Sequence, residues 1–201
     1  MNKIEKEPSL TYTSVAESVF QVERSAWNNC ANFIDDNRNI GNPFLSHEFF
    51  SCLEESGSVS KETGWISQHI LLFEEGNSLI GILPNYLKNH SWGEYIFDQV
   101  FANAWENAGG KYYPKLLSAI PFSPVAGERF LIKKGYSRKF VIEKLLDALE
   151  DLKKFYKVSS AHINFINEPQ LKIVLKNKFW FERNNIQFHW SNQNYENFEH
   201  F

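Results

Sequence analysis

Two hydrophobic periods alternate along this chain: a two-residue alternation that suits strands and a three-to-four-residue recurrence that suits helices. Residues 10–15 alternate, with β-branched and aromatic content, and predict a first strand. Val22, Ala26 and Trp27 fit a short helix within residues 22–31, before a turn-rich connection over 32–42. Ser46 then caps a predicted helix over His47–Glu55, with Phe49, Phe50 and Leu53 on its apolar side and Glu48 in its first turn, where an acid favours the helix dipole. Ser56, Gly57 and Ser58 end it. Residues 65–73 read as one long strand, 74–77 as a turn and Ser78–Leu83 as the returning strand of a hairpin. Pro84 stops the ladder because proline has no N–H to donate.

The stretch 83–95 then reads as a polar loop leaving a strand end. Phe97, Val100, Phe101, Ala104 and Ala108 recur at helical spacing, with Asp98 in the first turn and Gly109-Gly110 as the stop. Residues 116–120 are apolar, and the prolines and glycine of 121–129 force an extended, bent path. After Phe130-Leu131-Ile132 and a turn at 133–136, Ser137 caps the strongest predicted helix, which places Ile142, Leu145, Leu146, Leu149 and Leu152 on one face. Residues 160–166 alternate as a strand, Pro169 opens a helix through Val174 and Leu175, and Ile186, Phe188 and Trp190 share one face of a last predicted strand. Tyr195, Phe198 and Phe201 begin a helical period that the sequence does not complete, which is expected of truncation or of pairing with a partner.

Composition narrows the class. The chain has 201 residues, 43% hydrophobic and 16% aromatic, enough for one domain with a substantial core and incompatible with disorder over most of its length. A net charge of −3 gives no broad attraction to nucleic acid or anionic lipid. The charged start lacks the apolar core of a secretion signal, and no run approaches the roughly twenty apolar residues of a membrane span, so a cytoplasmic location is expected. Cys30 and Cys52 are isolated from any CxxC or histidine pair, so no metal site is expected and both read as buried or half-buried free thiols.

The acid–base candidates are His47, His90 and His189, because imidazole titrates near neutral pH. His90, Ser91 and Glu94 share the polar loop and could converge, whereas the adjacent His47 and Glu48 point to different sides of one helix. Residues 133–139 have the form of an anion site, a basic turn with one glycine opening a capped helix, and equally that of a solvated basic turn. No Walker lysine motif, Rossmann glycine triplet, GxSxG elbow or HExxH pair is present.

Several blocks, taken in order, resemble a known family. They are residues 42–49 (NPFLSHEF), 63–65 (TGW), 86–95 (YLKNHSWGEY), 112–116 (YYPKL), 121–127 (PFSPVAG) and 187–190 (QFHW). Their order and wording are similar to those of the FemAB-like proteins of peptidoglycan biosynthesis and recognition, classed with the GNAT-type N-acyltransferases. That resemblance implies an α/β fold of mixed α+β type, a GNAT-like, largely antiparallel sheet flanked by helices. It divides the chain into a frayed start at 1–9, a GNAT-like domain at 10–191 and, at 192–201, a linker helix or the start of a truncated second domain. It implies acyl or aminoacyl transfer to a small-molecule or peptide amine, with no bound cofactor and with acyl-CoA or aminoacyl-tRNA as co-substrate. Other partners would be a missing C-terminal domain or a second copy of the chain. His90, Glu94 and Tyr95 are then the expected catalytic residues. His47, Glu48, Lys88, Ser91, Tyr112, Tyr113, Lys115, Gln187 and His189 are the expected substrate-binding residues, with the two lysines holding an anionic group. A recognition module for a peptide or muropeptide, or an inactive fragment of a two-domain protein, remains open.

Overall fold

The computed structural model describes residues 5–32, 41–184 and 186–200, so most of the turn-rich connection expected at 32–42 lies outside it, as does Phe201. Among the described residues, eight strands form two four-stranded sheets. The first contains β1 (Thr11–Ala16), β3 (His69–Glu74), β4 (Ser78–Leu83) and β7 (Leu131–Ile132), in the order β1-β3-β4-β7, all antiparallel. The second contains β2 (Trp65–Ser67), β5 (Tyr86–Lys88), β6 (Lys115–Ser118) and β8 (Ala161–Ile163), in the order β2-β5-β6-β8, with β6 and β8 parallel.

One long hairpin runs through both sheets. Its outgoing arm is interrupted at Gln68 and its return arm at Pro84-Asn85. The two breaks face each other, with Gln68 N–H donating to the Asn85 carbonyl at 2.8 Å and Asn85 Nδ2 donating to the Gln68 carbonyl at 3.3 Å. Ser118 Oγ donates to Asn85 Oδ1, and Tyr156 O–H donates to Gln68 Oε1, so side chains satisfy the polar groups that the interrupted ladder releases. Two expectations are corrected here. Residues 65–73 are two strands rather than one, and Pro84 interrupts the return arm without ending it, because β5 resumes two residues later.

The helices are α1 (Arg24–Cys30), α2 (His47–Glu55), α3 (Gln99–Asn107), α4 (Arg138–Tyr156) and α5 (Glu168–Val174). Helix α4 lays Val141, Ile142, Leu145, Leu146 and Leu149 against Ile70, Leu72, Ile80 and Ile132 of the first sheet. On the opposite side, Trp27 and Phe50 of α1 and α2 pack with Leu71, Leu79, Ile82 and Leu131. With both faces covered, β3 and β4 must be apolar almost throughout, which explains their unbroken hydrophobic runs. Gly81 marks the closest approach of α4: a Cβ there would stand 2.5 Å from Val141 Cγ1 and 3.3 Å from Leu145 Cδ1. Gly81→Ala is therefore expected to lower stability by about 1–3 kcal/mol through overpacking, read as a lower urea midpoint at unchanged slope.

Ser46 and Ser137 cap α2 and α4 as expected, their hydroxyls accepting from Phe49 N–H and Phe140 N–H. Helix α3 follows the expected spacing, yet Phe97, Val100, Phe101 and Trp105 are exposed and only Ala102 is buried. Residues 186–190 form no strand, contrary to their alternation, because a strand needs a ladder and the second sheet ends at β8 without recruiting them; Phe188 is 95% exposed. Near the amino terminus, Lys6 bridges to Tyr136 and pairs with Glu74, so this part of the expected frayed start is tied to the sheet. No helix among the described residues is long and apolar enough to cross a membrane.

Candidate functional site

Register places Trp65, Lys88 and Lys115 side by side on β2, β5 and β6, since Trp65 pairs with Lys88 and Lys88 with Lys115. Two facing lysines repel, and both are fully buried. The polar loop after β5 supplies the compensation by returning two carboxylates over them, those of Glu94 and Asp98. Lys115 Nζ donates to Glu94 Oε2 at 2.9 Å, Asp98 Oδ2 at 2.6 Å and Ser91 Oγ at 2.8 Å, which uses its three protons. Ser91 Oγ also donates to Asp98 Oδ2, leaving it free to accept from Tyr113 O–H at 2.7 Å, and Tyr112 O–H donates to Asp98 at 2.8 Å. With every group ionised, two lysines and two acids would balance in charge.

The groups are not equivalent. Burial raises the Glu94 pKa, with the Lys115 charge and hydrogen bond offsetting this only in part. Its Oε1 has no partner among the described residues. Asp98 is also penalised by burial, but donors from Lys115, Ser91 and Tyr112 outweigh that and hold it below the usual carboxylate range. Lys88 makes one hydrogen bond, to the Trp92 carbonyl at 3.3 Å, and its Nζ lies 3.6 Å from the centre of the Trp65 ring. Burial lowers its pKa from 10.5 to about 7. Burial and hydrogen bonding to Asp98 raise that of Tyr112.

Beyond Trp65 the surface opens into an aromatic pocket of about 430 Å³, lined by Ser58, Thr63, Trp65, His90, Trp92 and Phe122. Trp92 N–H donates to His90 Nδ1, so the proton of the neutral ring sits on Nε2 and donates to the Thr63 carbonyl at 3.0 Å. This tie requires a glycine at 64, whose Cβ would stand 2.4 Å from His90 Nε2. Burial and the neighbouring Lys88 charge lower the His90 pKa. With both nitrogens engaged, His90 is a wall of the pocket.

Of the expected site residues the structure brings together Lys88, Ser91, Glu94, Tyr112, Tyr113 and Lys115, and it adds Asp98, which sequence reading placed only in the first turn of a helix. Trp65 and Phe122 carry no acid–base chemistry and were not singled out either. Lys115 does not present an N–H to an external anion, contrary to expectation, because its three donors are already used. Tyr95 is 53% exposed at the loop tip. The other expected residues make their bonds elsewhere. His47 Nε2 lies 3.2 Å from the Val19 and Val22 carbonyls, and Glu48 binds Arg24 and Asn28. Gln187 Nε2 donates to the Pro124 carbonyl, and His189 is exposed on the carboxy-terminal arm. The basic turn at 133–139 is also engaged: Lys133 bonds Ser78, Arg138 pairs with Glu128, and Lys139 lies 3.8 Å from Glu143. Cys30 is buried and its thiol is pushed up to about 12 by desolvation, whereas Cys52 is exposed, not half-buried. No cluster of potential metal ligands occurs among the described residues.

Residues 18–201 match the sequence model of the FemAB-like family, described as peptidoglycan biosynthesis/recognition. The chain belongs to the FemAB-like family. No curated protein matches it in sequence. Among solved structures, this FemAB-like chain is similar to the aminoglycoside antibiotic 6'-N-acetyltransferase AAC(6')-Ih from Acinetobacter baumannii, with a TM-score of 0.47 and 11% identity over 90% of this chain and 98% of that one. The mixed, largely antiparallel α/β architecture expected from sequence is the one observed.

Proposed function

We propose that this FemAB-like chain is an N-acyltransferase domain that moves an acyl or aminoacyl group from acyl-CoA or aminoacyl-tRNA to an amine of a peptidoglycan precursor. Supporting this reading is a single observation: Glu94 is a buried carboxylate held through one oxygen by Lys115 while its other oxygen has no partner among the described residues. Burial raises its basicity toward the range useful for proton transfer near neutral pH. In the proposed step the acceptor nitrogen forms a bond to the donor carbonyl carbon, the bond from that carbon to sulfur or oxygen breaks, and the nitrogen's proton passes to Glu94. The exposed Tyr95 hydroxyl supplies a proton to the leaving group and regains one from solvent. Opening of the loop that carries Glu94 admits the acceptor, since the carboxylate is covered in the closed arrangement.

Glu94→Gln is expected to keep the Lys115 hydrogen bond and lose the base, lowering kcat/KM for transfer from acetyl-CoA or glycyl-tRNA by about a hundredfold. The wild-type profile should show a titrating limb above the ordinary glutamate pKa that the variant lacks. A folded Glu94→Gln protein with undiminished transfer would sink the assignment. The complete burial of the charged cluster beneath an aromatic pocket favours a second reading, a non-catalytic module that recognises a peptide or muropeptide. Saturable binding of a soluble stem peptide, with no turnover from either donor, would select it.

A further inference from the structure

Arg129 is 1% exposed, and no acid among the described residues pairs with it. Its Nε donates to the Asn164 carbonyl at 2.7 Å, one terminal nitrogen to the Glu128 carbonyl at 2.9 Å and the other to the Val125 carbonyl at 2.5 Å. Three of its five N–H groups are thus used, all on neutral acceptors. Burial lowers its pKa to about 10, which leaves it charged at neutral pH. A charge kept from water with no counter-ion among the described residues is costly, so its presence calls for an explanation.

The surroundings supply one. Gly127, next to this guanidinium, has no side chain, and the position a Cβ would take lies 3.5 Å from Asn42 Nδ2 and 3.8 Å from an Arg129 terminal nitrogen. Asn42 Oδ1 accepts from Phe44 N–H, so its amide nitrogen is the group turned toward this point. Two donors, one of them cationic, therefore converge over a bare glycine. Asn42 and Gly127 are half-buried, which opens the cradle on one side. Its floor is fixed: Gly127 N–H donates to the Phe165 carbonyl, Asn167 N–H donates to the Gly127 carbonyl, and Gln170 Oε1 accepts from both Arg129 N–H and Phe130 N–H. The cradle lies past the carboxyl ends of the parallel strands β6 and β8, where an isolated parallel bridge joins Gly127 to Ile166. Asn164, from the same strand end, also carries a buried side-chain nitrogen without a partner.

We infer that Asn42, Gly127 and Arg129 form a binding site for a carboxylate. One guanidinium with two N–H groups to spare, aided by one amide, matches the single charge and two oxygens of a carboxylate better than the higher charge of a phosphate. This site shares no residue with the Glu94 cluster, and the acyl-transfer reading is not needed for it.

The test follows the Arg129 side-chain Nε–Hε resonance of ¹⁵N-labelled protein, assigned by its disappearance in Arg129→Lys. The probes are N-acetylglycine, its neutral isostere N-acetylglycinamide, and inorganic phosphate. A saturable shift with N-acetylglycine and none with the amide is expected. Asn42→Asp keeps the oxygen that caps Phe44 and places a negative charge at the cradle, so the affinity should fall tenfold or more. Gly127→Asp fills the cradle with an internal carboxylate and should give the same loss, together with a higher thermal midpoint. Equal response to acid and amide, no response at all, response to phosphate alone, or undiminished affinity in a folded variant would each overturn the assignment.

Discussion

Lys115→Met is expected to destabilise the protein by about 3–5 kcal/mol, as removal of one partner from a buried ion pair does elsewhere. Lys115 is 1% exposed at its side chain and, among the described residues, is the sole donor to Glu94 Oε2 and the closest donor to Asp98 Oδ2. Methionine preserves most of the apolar stem but leaves Glu94, already raised in pKa, with only the distant help of Lys88. Two buried acids then face one lysine, and protonation of Glu94, which relieves the charge, still leaves Ser91 and Asp98 without their common donor. The measurement is chemical denaturation at pH 7. A variant within 1 kcal/mol of wild type would mean that the cluster is not the buried network described above. Glu94→Gln, which preserves the Lys115 contact, should be far milder in stability, so the two substitutions separate structural cost from catalytic loss.

What the sequence made legible was local. Helix α4 could be read because Ser137 and the spacing of Ile142, Leu145, Leu149 and Leu152 lie within one segment, and the β3–β4 hairpin because its turn, Glu74 to Asn77, separates two apolar runs. The site was half legible for the same reason. Ser91 and Glu94 share a loop whose polarity is visible, and Tyr112, Tyr113 and Lys115 form a compact block. That Lys88 faces Lys115 is a fact of register between strands far apart in sequence, which periodicity within either strand cannot supply. Asp98 was hidden by its place in the chain: an acid at the start of a helix reads as part of the helix, and only the position of Lys115 shows that its carboxylate is turned to the cluster. Arg129 lies in a proline-rich stretch whose extended path was foreseen, but its burial depends on Asn164 and Gln170 arriving from other elements. The alternation at 186–190 misled for the converse reason, because a strand pattern states a capacity to pair and the sheet provides no neighbour.

Lys88→Met is expected to act in the opposite sense, stabilising the protein by about 2–3 kcal/mol at pH 7 and removing a pH dependence. Burial is the main cause of the lowered Lys88 pKa, the Lys115 charge adds to it, and Glu94 opposes it, for a fall from 10.5 to about 7. The unfolded chain therefore binds a proton that the folded chain has begun to release between pH 7 and 10.5, so stability rises with pH across that window. Above about pH 9 the buried Cys30 opposes the trend, because its thiol, pushed up to about 12, stays protonated while the unfolded thiol ionises. The clean interval is pH 7–9, where wild type should gain at most about 1.4 kcal/mol per pH unit. Methionine fits the same slot, keeps contact with the Trp65 ring through its sulfur and carries no charge to desolvate. Glu94 loses a neighbouring cation and takes up a proton more readily, which holds the gain below the full cost of burying the lysine. Urea midpoints of both proteins at pH 7, 8 and 9 decide the matter: a rising series for wild type and a flat, higher one for the variant are expected. A variant less stable at pH 7, or one that keeps the wild-type slope, would show that Lys88 is charged and well compensated where it lies.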